Sequence, residues 1–445
     1  MKINRSNLLS LAGVDSGVLA TSILLGPVGT LAAIAAGSLI AFTFFSEIGF
    51  VTLVTAISHA NDSFSYNFDV VRAIRWSLVA LSLLVTVWQF LVRKGWKALH
   101  IGFIDKYYAL FAVWGIVCLL FAADFLPSLI EYFRLLAFYV LYLVTRATVR
   151  DRKKLMIVLT LITLIVFSSS LYSVGSIFHT GYFRVRGFMN NAGAYAQVLG
   201  YLVPFVVAAA YIARARALKY LLSFVAIFGV LVLFLAWSRA SIIAALVQYA
   251  VFLIAEKKYK ALLVSISVAV VLAIAVLSIP TVWDIFYAVG RVQAGSTYRF
   301  TLWHTGIGAA LHKPLFGYGF AVPTGDVLGR IYWNDLASNH VFHDLSRIFN
   351  VHNQYINAAL STGLPGLALF IGFLYFLIRN GIRDLLKQGR KRRRMFFTAM
   401  LSINVSLVVV CSFANGPHLA SGSMANYFWI TLGLTHAIRD HNIEI

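Results

Sequence analysis

Long apolar runs, broken by short and mostly basic interruptions, recur along almost the whole chain. Between Leu19 and His59 the one charged residue is Glu47, and this stretch holds two helices, or one span beside a re-entrant segment, with Gly26-Pro27 lying within the first. Further runs cover Trp76 to Leu91, Tyr107 to Leu126, Leu135 to Val144 with its flanks, and Leu155 to Tyr172. The pattern continues with Ala192 to Tyr211, Leu221 to Trp237, Ala240 to Ile254 and Ala261 to Ile279. After a hydrophilic interval come Tyr355 to Ile378, Met395 to Phe413 and Met424 to Leu434 with its flanks. Most of these runs approach the length needed to cross about 30 Å of hydrocarbon. In lipid such a run must be helical, because unpaired backbone amides and carbonyls are too costly there. The expectation is an all-α, polytopic integral membrane protein with about 12 transmembrane helices.

The interruptions set the orientation. Basic clusters occur at Arg93 to Lys97, Arg146 to Lys154, Arg214 to Lys219 and Lys257 to Lys260, and most densely in RDLLKQGRKRRR, Arg383 to Arg394. Cytosolic loops carry such an excess of Lys and Arg. With all five on the cytosolic side, Arg239, the 281–353 interval and the Pro417 region fall on the opposite face. Every span after about residue 73 alternates consistently with that assignment. Before it, two helices put the amino terminus outside and one span puts it inside, so the count is 12 or 13 crossings.

Composition supports lipid as the surrounding medium. Apolar residues make up 60% of the 445 and charged residues 12%, against about 25% charged in soluble domains. Lys plus Arg is 37 against 16 for Asp plus Glu; the placement of that excess in inter-span loops explains it by topology, without a nucleic-acid partner. Both cysteines, Cys118 and Cys411, lie in apolar runs and are expected as free thiols. The amino terminus, MKINRSNLL, lacks the pattern of a cleaved secretory signal. The chain divides into amino-terminal transmembrane helices (1–280), a hydrophilic loop subdomain (281–353) and carboxyl-terminal transmembrane helices (354–445).

The 281–353 interval holds five of the eleven histidines. A structureless connection of that length is unusual, so it is expected to be a folded cap with short helices, Thr301 to Leu311 and Val341 to Phe349 among them. Four blocks stand out chemically. Arg184 and Arg186 precede a small-residue helix that opens with Asn190, Asn191 and Gly193. Guanidinium forks and a helix amino terminus together suit a phosphate, and equally suit anchoring among lipid headgroups. Arg239, in FLAWSRASIIAAL, sits at a turn between two apolar legs, where a charge is expensive unless paired, wetted or snorkelling. Arg299 precedes a short helix and a Pro314, Gly317, Gly319 turn. His352 and Asn353 open a helix in which Gly363 and Gly366 bracket Leu364-Pro365 and permit a bend or a close helix contact.

In combination these blocks resemble the superfamily of O-antigen ligases and bacterial polysaccharide polymerases, over roughly residues 180 to 375. The resemblance implies about twelve spans, a large periplasmic loop near the carboxyl third, and a location in the bacterial inner membrane with the site facing the periplasm. An extra apolar segment before residue 40 departs from that family's usual topology. The implied chemistry is inverting glycosyl transfer from a polyprenyl-diphosphate-linked glycan, with no metal, cofactor or nucleotide sugar. On this reading Arg184, Arg186, Arg239, Arg299 and Arg347 hold the donor diphosphate. His352 acts as base, with Arg239 and Arg299 as its catalytic companions. His343, Asp344, Asp335 and Asn353 contact the acceptor.

Two enzymes of this kind fit: a ligase that moves polysaccharide from undecaprenyl diphosphate to lipid A core, and a polymerase that extends another lipid-linked repeat. The single hydrophilic interval adjoining His352 favours the ligase. A polysaccharide transporter or lipid flippase is the reading of a different class. It predicts charged or broken spans at mid-membrane, whereas most charges here fall at span ends.

Overall fold

The structure is a computed structural model that describes residues 101–180, 184–187, 189, 191–278, 297–320, 351–413 and 423–444. The spans expected before residue 100, the helix expected over 341–349, and Asp335, His343, Asp344 and Arg347 lie outside these residues. The described chain is helical, with no strand. Eleven helices are described: α1 (Phe103–Leu120), α2 (Phe125–Thr148), α3 (Arg152–Thr180), α4 (Ala192–Ile212), α5 (Arg216–Leu235), α6 (Arg239–Ala255), α7 (Tyr259–Ser278), α8 (Thr297–His312), α9 (Gln354–Leu386), α10 (Lys391–Phe413) and α11 (Ser423–Asp440).

Seven of these, α1 to α5 with α9 and α10, are long and apolar enough to cross a membrane. Helix α6 has 17 residues, about 25 Å at 1.5 Å per residue, a few ångströms short of the roughly 30 Å of hydrocarbon. Helix α4 is the hub, packing against α3, α5, α6, α10 and α11. Of its apolar window 83% is buried, against 33% in α1 and in α5. The peripheral helices accordingly present Leu110, Val113 and Ile116, or Phe224, Ile227 and Leu231, outward, as a lipid-facing surface requires. Both cysteines are free and buried, as their apolar settings predict.

Helix α11 covers the run expected over Met424 to Leu434 but is not among the seven candidate spans. It is buried, with Thr431, Thr435 and His436 inside the bundle, and His436 Nδ1 lies 2.6 Å from the Tyr142 hydroxyl. Its last turn carries an ionic bridge. Arg146, fully buried at the end of α2, donates to Asp105 of α1 at 3.0 Å and to Asp440 of α11. His441 Nε2 lies 3.0 Å from the Arg146 carbonyl. Arg146, grouped by sequence with a basic loop, is instead a structural tie between three helices. Removing one partner of such a bridge costs about 3–5 kcal/mol, because the remaining charge is left buried and uncompensated.

Helix α9 is two arms. Gly363 adopts φ 70°, ψ −175°, outside helical space, so residues 354–362 and 364–386 are separate helical pieces. Tyr355 and Phe370 have ring centroids 5.5 Å apart; on a straight helix residues this far apart in sequence would stand about 22 Å apart. The arms therefore fold back sharply on each other. The longer arm, about 35 Å, matches the hydrocarbon thickness.

The bend leaves backbone groups without helical partners, and the turn after α8 supplies them. Tyr318 N donates to Leu360 O at 2.7 Å, Gly319 N to Ser361 O at 3.0 Å, and Leu364 N to Pro314 O at 2.7 Å. Pro365 has no amide to offer Ser361, so the Gly319 bond fills the acceptor it leaves vacant. The fit is close enough to require glycine on both sides. A Cβ on Gly317, whose φ is 67°, would lie 2.5 Å from Leu360 O. One on Gly363 would lie 2.7 Å from Pro314 O and closer still to the Leu315 carbonyl. Phe316, stacked 4.0 Å from Phe121, and Phe320, 5.6 Å from Tyr132, hold the same turn to α1 and α2.

Candidate functional site

The helix ends and turns that carry the candidate residues gather at one end of the bundle. Asn191 caps α4, its Oδ1 accepting from Gly193 N at 2.7 Å and from Ala194 N at 3.4 Å. Before this cap, the hairpin bearing Arg184 and Arg186 is pinned to the end of α5: Val185 N donates to Leu235 O at 3.2 Å, and Arg184 Nε to Ala236 O at 3.5 Å. These bonds satisfy α5 carbonyls that have no partner within the helix. Gly187, at φ 58°, lies against the Tyr195 ring where a side chain would not fit. Arg184 and Arg186 are both exposed.

Arg239 is the first residue of α6, immediately after the turn from α5. That turn is tight, with Trp237 in the left-handed region at φ 49°. Ser238 Oγ lies 2.9 Å from Ser241 Oγ, and would be 3.8 Å from a Cβ on Gly193. The amino termini of α4 and α6 therefore meet, and the exposed Arg239 adds its charge to two positive helix ends. This electropositive corner has the components of an anion site.

Helix register relates Arg239 to His352. Helices α6 and α10 run antiparallel: Ala244 packs on Val410, Gln248 Nε2 donates to Ser406 Oγ at 2.9 Å, and Arg394 Nε donates to Glu256 Oε1 at 3.4 Å. Arg239 thus reaches the carboxyl end of α10. The start of α9 sits at that same end, where Asn353 Nδ2 donates to Ser412 O and Tyr355 OH to Val408 O, each at 3.1 Å. Asn353 Oδ1 also caps α9, accepting from Tyr355 N and Ile356 N at 3.0 and 3.1 Å. Asn353 spends both ends of its amide on the fold, and an acceptor contact would compete with these bonds.

His352 is half-buried and holds φ 50°, an uncommon backbone conformation for a residue with a side chain. Its neighbour Val351 is fully buried, and the Val351 carbonyl accepts from Trp303 Nε1 at 3.0 Å. Trp303 stands one helical turn after Arg299, so the two share a face of α8. Gly306, on the next turn, has no room for a Cβ between Val351 and Ile356. Burial, and secondarily the Arg299 charge, hold the His352 pKa below the ordinary imidazole value. The ring is therefore neutral at pH 7 and able to accept a proton. Among the described residues no three His, Cys, Asp or Glu side chains form a group able to hold a metal ion.

The structure thus places Arg184, Arg186, Arg239, Arg299 and His352 at one end of the bundle, and brings Arg299 within electrostatic reach of His352. Sequence reasoning missed Trp303, although its spacing from Arg299 marks a shared helix face. It also missed the docking of the Gly317 turn into the Gly363 bend, a contact between distant segments that no local pattern signals.

Residues 224–371 match the family model described as O-antigen ligase, and the chain carries that domain. The match includes Arg239, Arg299, His352 and Gly363; the Arg184 hairpin precedes it. No curated protein matches the chain.

Proposed function

We propose that the protein is an O-antigen ligase of the bacterial inner membrane, which transfers polysaccharide from undecaprenyl diphosphate to lipid A core oligosaccharide on the periplasmic face. The observation that carries this reading is the placement of His352 at the start of α9, tied through Val351 to Trp303 on the helix face that bears Arg299, inside the matched region and at the bundle end that also bears Arg239 and Arg184. The acceptor hydroxyl attacks the anomeric carbon of the donor sugar, on the face opposite the diphosphate. A new carbon–oxygen bond forms as the bond to the diphosphate oxygen breaks, and the centre inverts. The hydroxyl proton passes to the His352 ring, and polyprenyl diphosphate departs with the bonding electrons. Arg184, Arg186, Arg239 and Arg299 stabilise the charge developing on it through charge-assisted hydrogen bonds, with the helix amino termini of α4 and α6 adding to the field. Arg347 joins this group, while His343, Asp344 and Asp335 orient the acceptor. The reaction needs no metal on this account.

The domain organisation proposed is a membrane body, 1–280 and 354–445, with the 281–353 segment on the periplasmic side. The test supplies purified protein with a lipid-linked glycan and with lipid A core together, with and without EDTA. Glycan joined to the core, unaffected by EDTA, is the expected product. Lengthening of the lipid-linked chain without transfer to core would identify a polymerase instead.

A further inference from the structure

At the opposite, basic end of the bundle, the carboxylates of the described residues are already engaged. Asp105 and Asp440 pair with Arg146, and Asp384 faces Arg439 at 3.6 Å. Glu256 faces Arg394 at 3.4 Å, and Glu444 faces Arg390 at 3.1 Å. Asp151 accepts from Lys154 N at 2.9 Å at the start of α3. Of the arginines at this end that pair with none of these carboxylates, three come from three different elements and meet over one helix end.

Arg152, the first residue of α3, reaches over the end of α4, where one of its donors meets Ile212 O at 3.4 Å. Arg214 follows two residues later in the α4–α5 connection and is exposed. Arg392 comes from α10, which packs against α4 through Phe396 and Phe205, their rings 5.3 Å apart. Arg392 lies one turn before Phe396, on the same face, and so points along α4 toward its end. The charges of Arg214 and Arg392 both act on Arg152. Among the described residues none of the three pairs with a carboxylate.

Simple loop charge would let these side chains spread into water. Here three separate elements bring like charges together over a helix end, an arrangement that an external anion would stabilise. At a membrane surface the abundant anion is the phosphate of an acidic lipid, and basic pockets between transmembrane helices suit such headgroups. Guanidinium forks match phosphate oxygens in pairs. We propose that Arg152, Arg214 and Arg392 form a binding site for the phosphate of an acidic phospholipid headgroup, separate from the site at the other end of the bundle.

The test measures lipid binding to the full-length protein in detergent by native mass spectrometry, using phosphatidylglycerol, phosphatidylcholine and inorganic phosphate as probes. The site should select phosphatidylglycerol over phosphatidylcholine, and R214Q/R392Q should weaken phosphatidylglycerol binding about thirtyfold, at roughly fivefold per arginine. Both residues are exposed, so the double variant is expected to fold; the single variant R214Q provides the smaller effect if it does not. The K257Q/K258Q variant, which removes the same charge from a neighbouring loop, should bind as the wild type does. Equal binding of the two lipids, or an equal loss in K257Q/K258Q, would overturn the proposal in favour of diffuse surface attraction. Inorganic phosphate binding as tightly as phosphatidylglycerol, and lost in R214Q/R392Q, would overturn the lipid assignment.

Discussion

Replacing Gly363 with alanine tests whether the bend in α9 and the turn after α8 form one unit. The backbone of Gly363, φ 70° and ψ −175°, lies in a region almost confined to glycine; forcing an alanine into it costs about 1–3 kcal/mol. The new Cβ would also press on the Pro314 and Leu315 carbonyls, so the turn must withdraw. Withdrawal breaks the three backbone bonds from Tyr318, Gly319 and Leu364, at about 1 kcal/mol each. The total, about 4–6 kcal/mol, is comparable with the whole stability of an ordinary domain. A Cβ added to Gly175 of α3 would meet nothing within 4 Å, so G175A should be neutral or stabilising by about 0.5–1 kcal/mol. The local readout is Cys118, whose Sγ lies 3.7 Å from Thr362 O beside the bend. In G363A this buried thiol should react with a small alkylating reagent about a thousandfold faster, as local opening becomes easier. Transfer activity should fall with it, because Val351 and His352 are held by α8 through Trp303. Unchanged thermal stability and Cys118 reactivity in G363A, equal to those of G175A, would refute the interlock.

Other consequences concern charge and orientation. Arg299 helps to keep His352 neutral, so R299Q should move the acidic limb of the rate profile to higher pH, with the loss greatest near pH 6; a limb that stays in place would detach Arg299 from His352. R239A and R239K should both reduce transfer at matched protein levels, since lysine keeps the charge but not the bidentate fork; near-normal transfer by R239A would return the residue to a headgroup anchor. In sealed membranes, H312C and G389C should label from opposite sides, and labelling of both from one side would defeat the topology. Removing the buried counterion in D440A should destabilise the fold by about 3–5 kcal/mol, measured as a lowered melting temperature in detergent.

The spans were legible because lipid permits few alternatives: apolar runs predicted α4, α6, α7 and α10 to within a few residues, whereas α3 and α9 run about eight residues beyond the carboxyl ends of their runs. Helix ends were legible where the capping chemistry is local, as at Asn191 and Asn353. The acute fold of α9 was legible only in part. Gly363 and Pro365 mark where a break can occur, but the sharpness of the bend depends on a turn some fifty residues earlier in the chain. Arg146 shows the same limit for charge. Its neighbours in sequence are loop residues, and only the packing of α1, α2 and α11 turns it into an internal bridge. That Arg239 and His352 lie at the same end of the bundle likewise depends on register along α10, and the placement of Arg299 near His352 on the docking of α8 against α9, to which local spacing gives no access.

The division of labour at the site is most directly tested by the turnover of H352A and H352Q at saturating acceptor, measured beside binding of a non-hydrolysable lipid-diphosphate analogue. A base acts on proton transfer at the transition state, so both variants should lose most of their turnover while binding the analogue as the wild type does. Full turnover in H352A, or loss of analogue binding by a folded H352A, would contradict the assignment of proton transfer to His352 and of the diphosphate to the arginines.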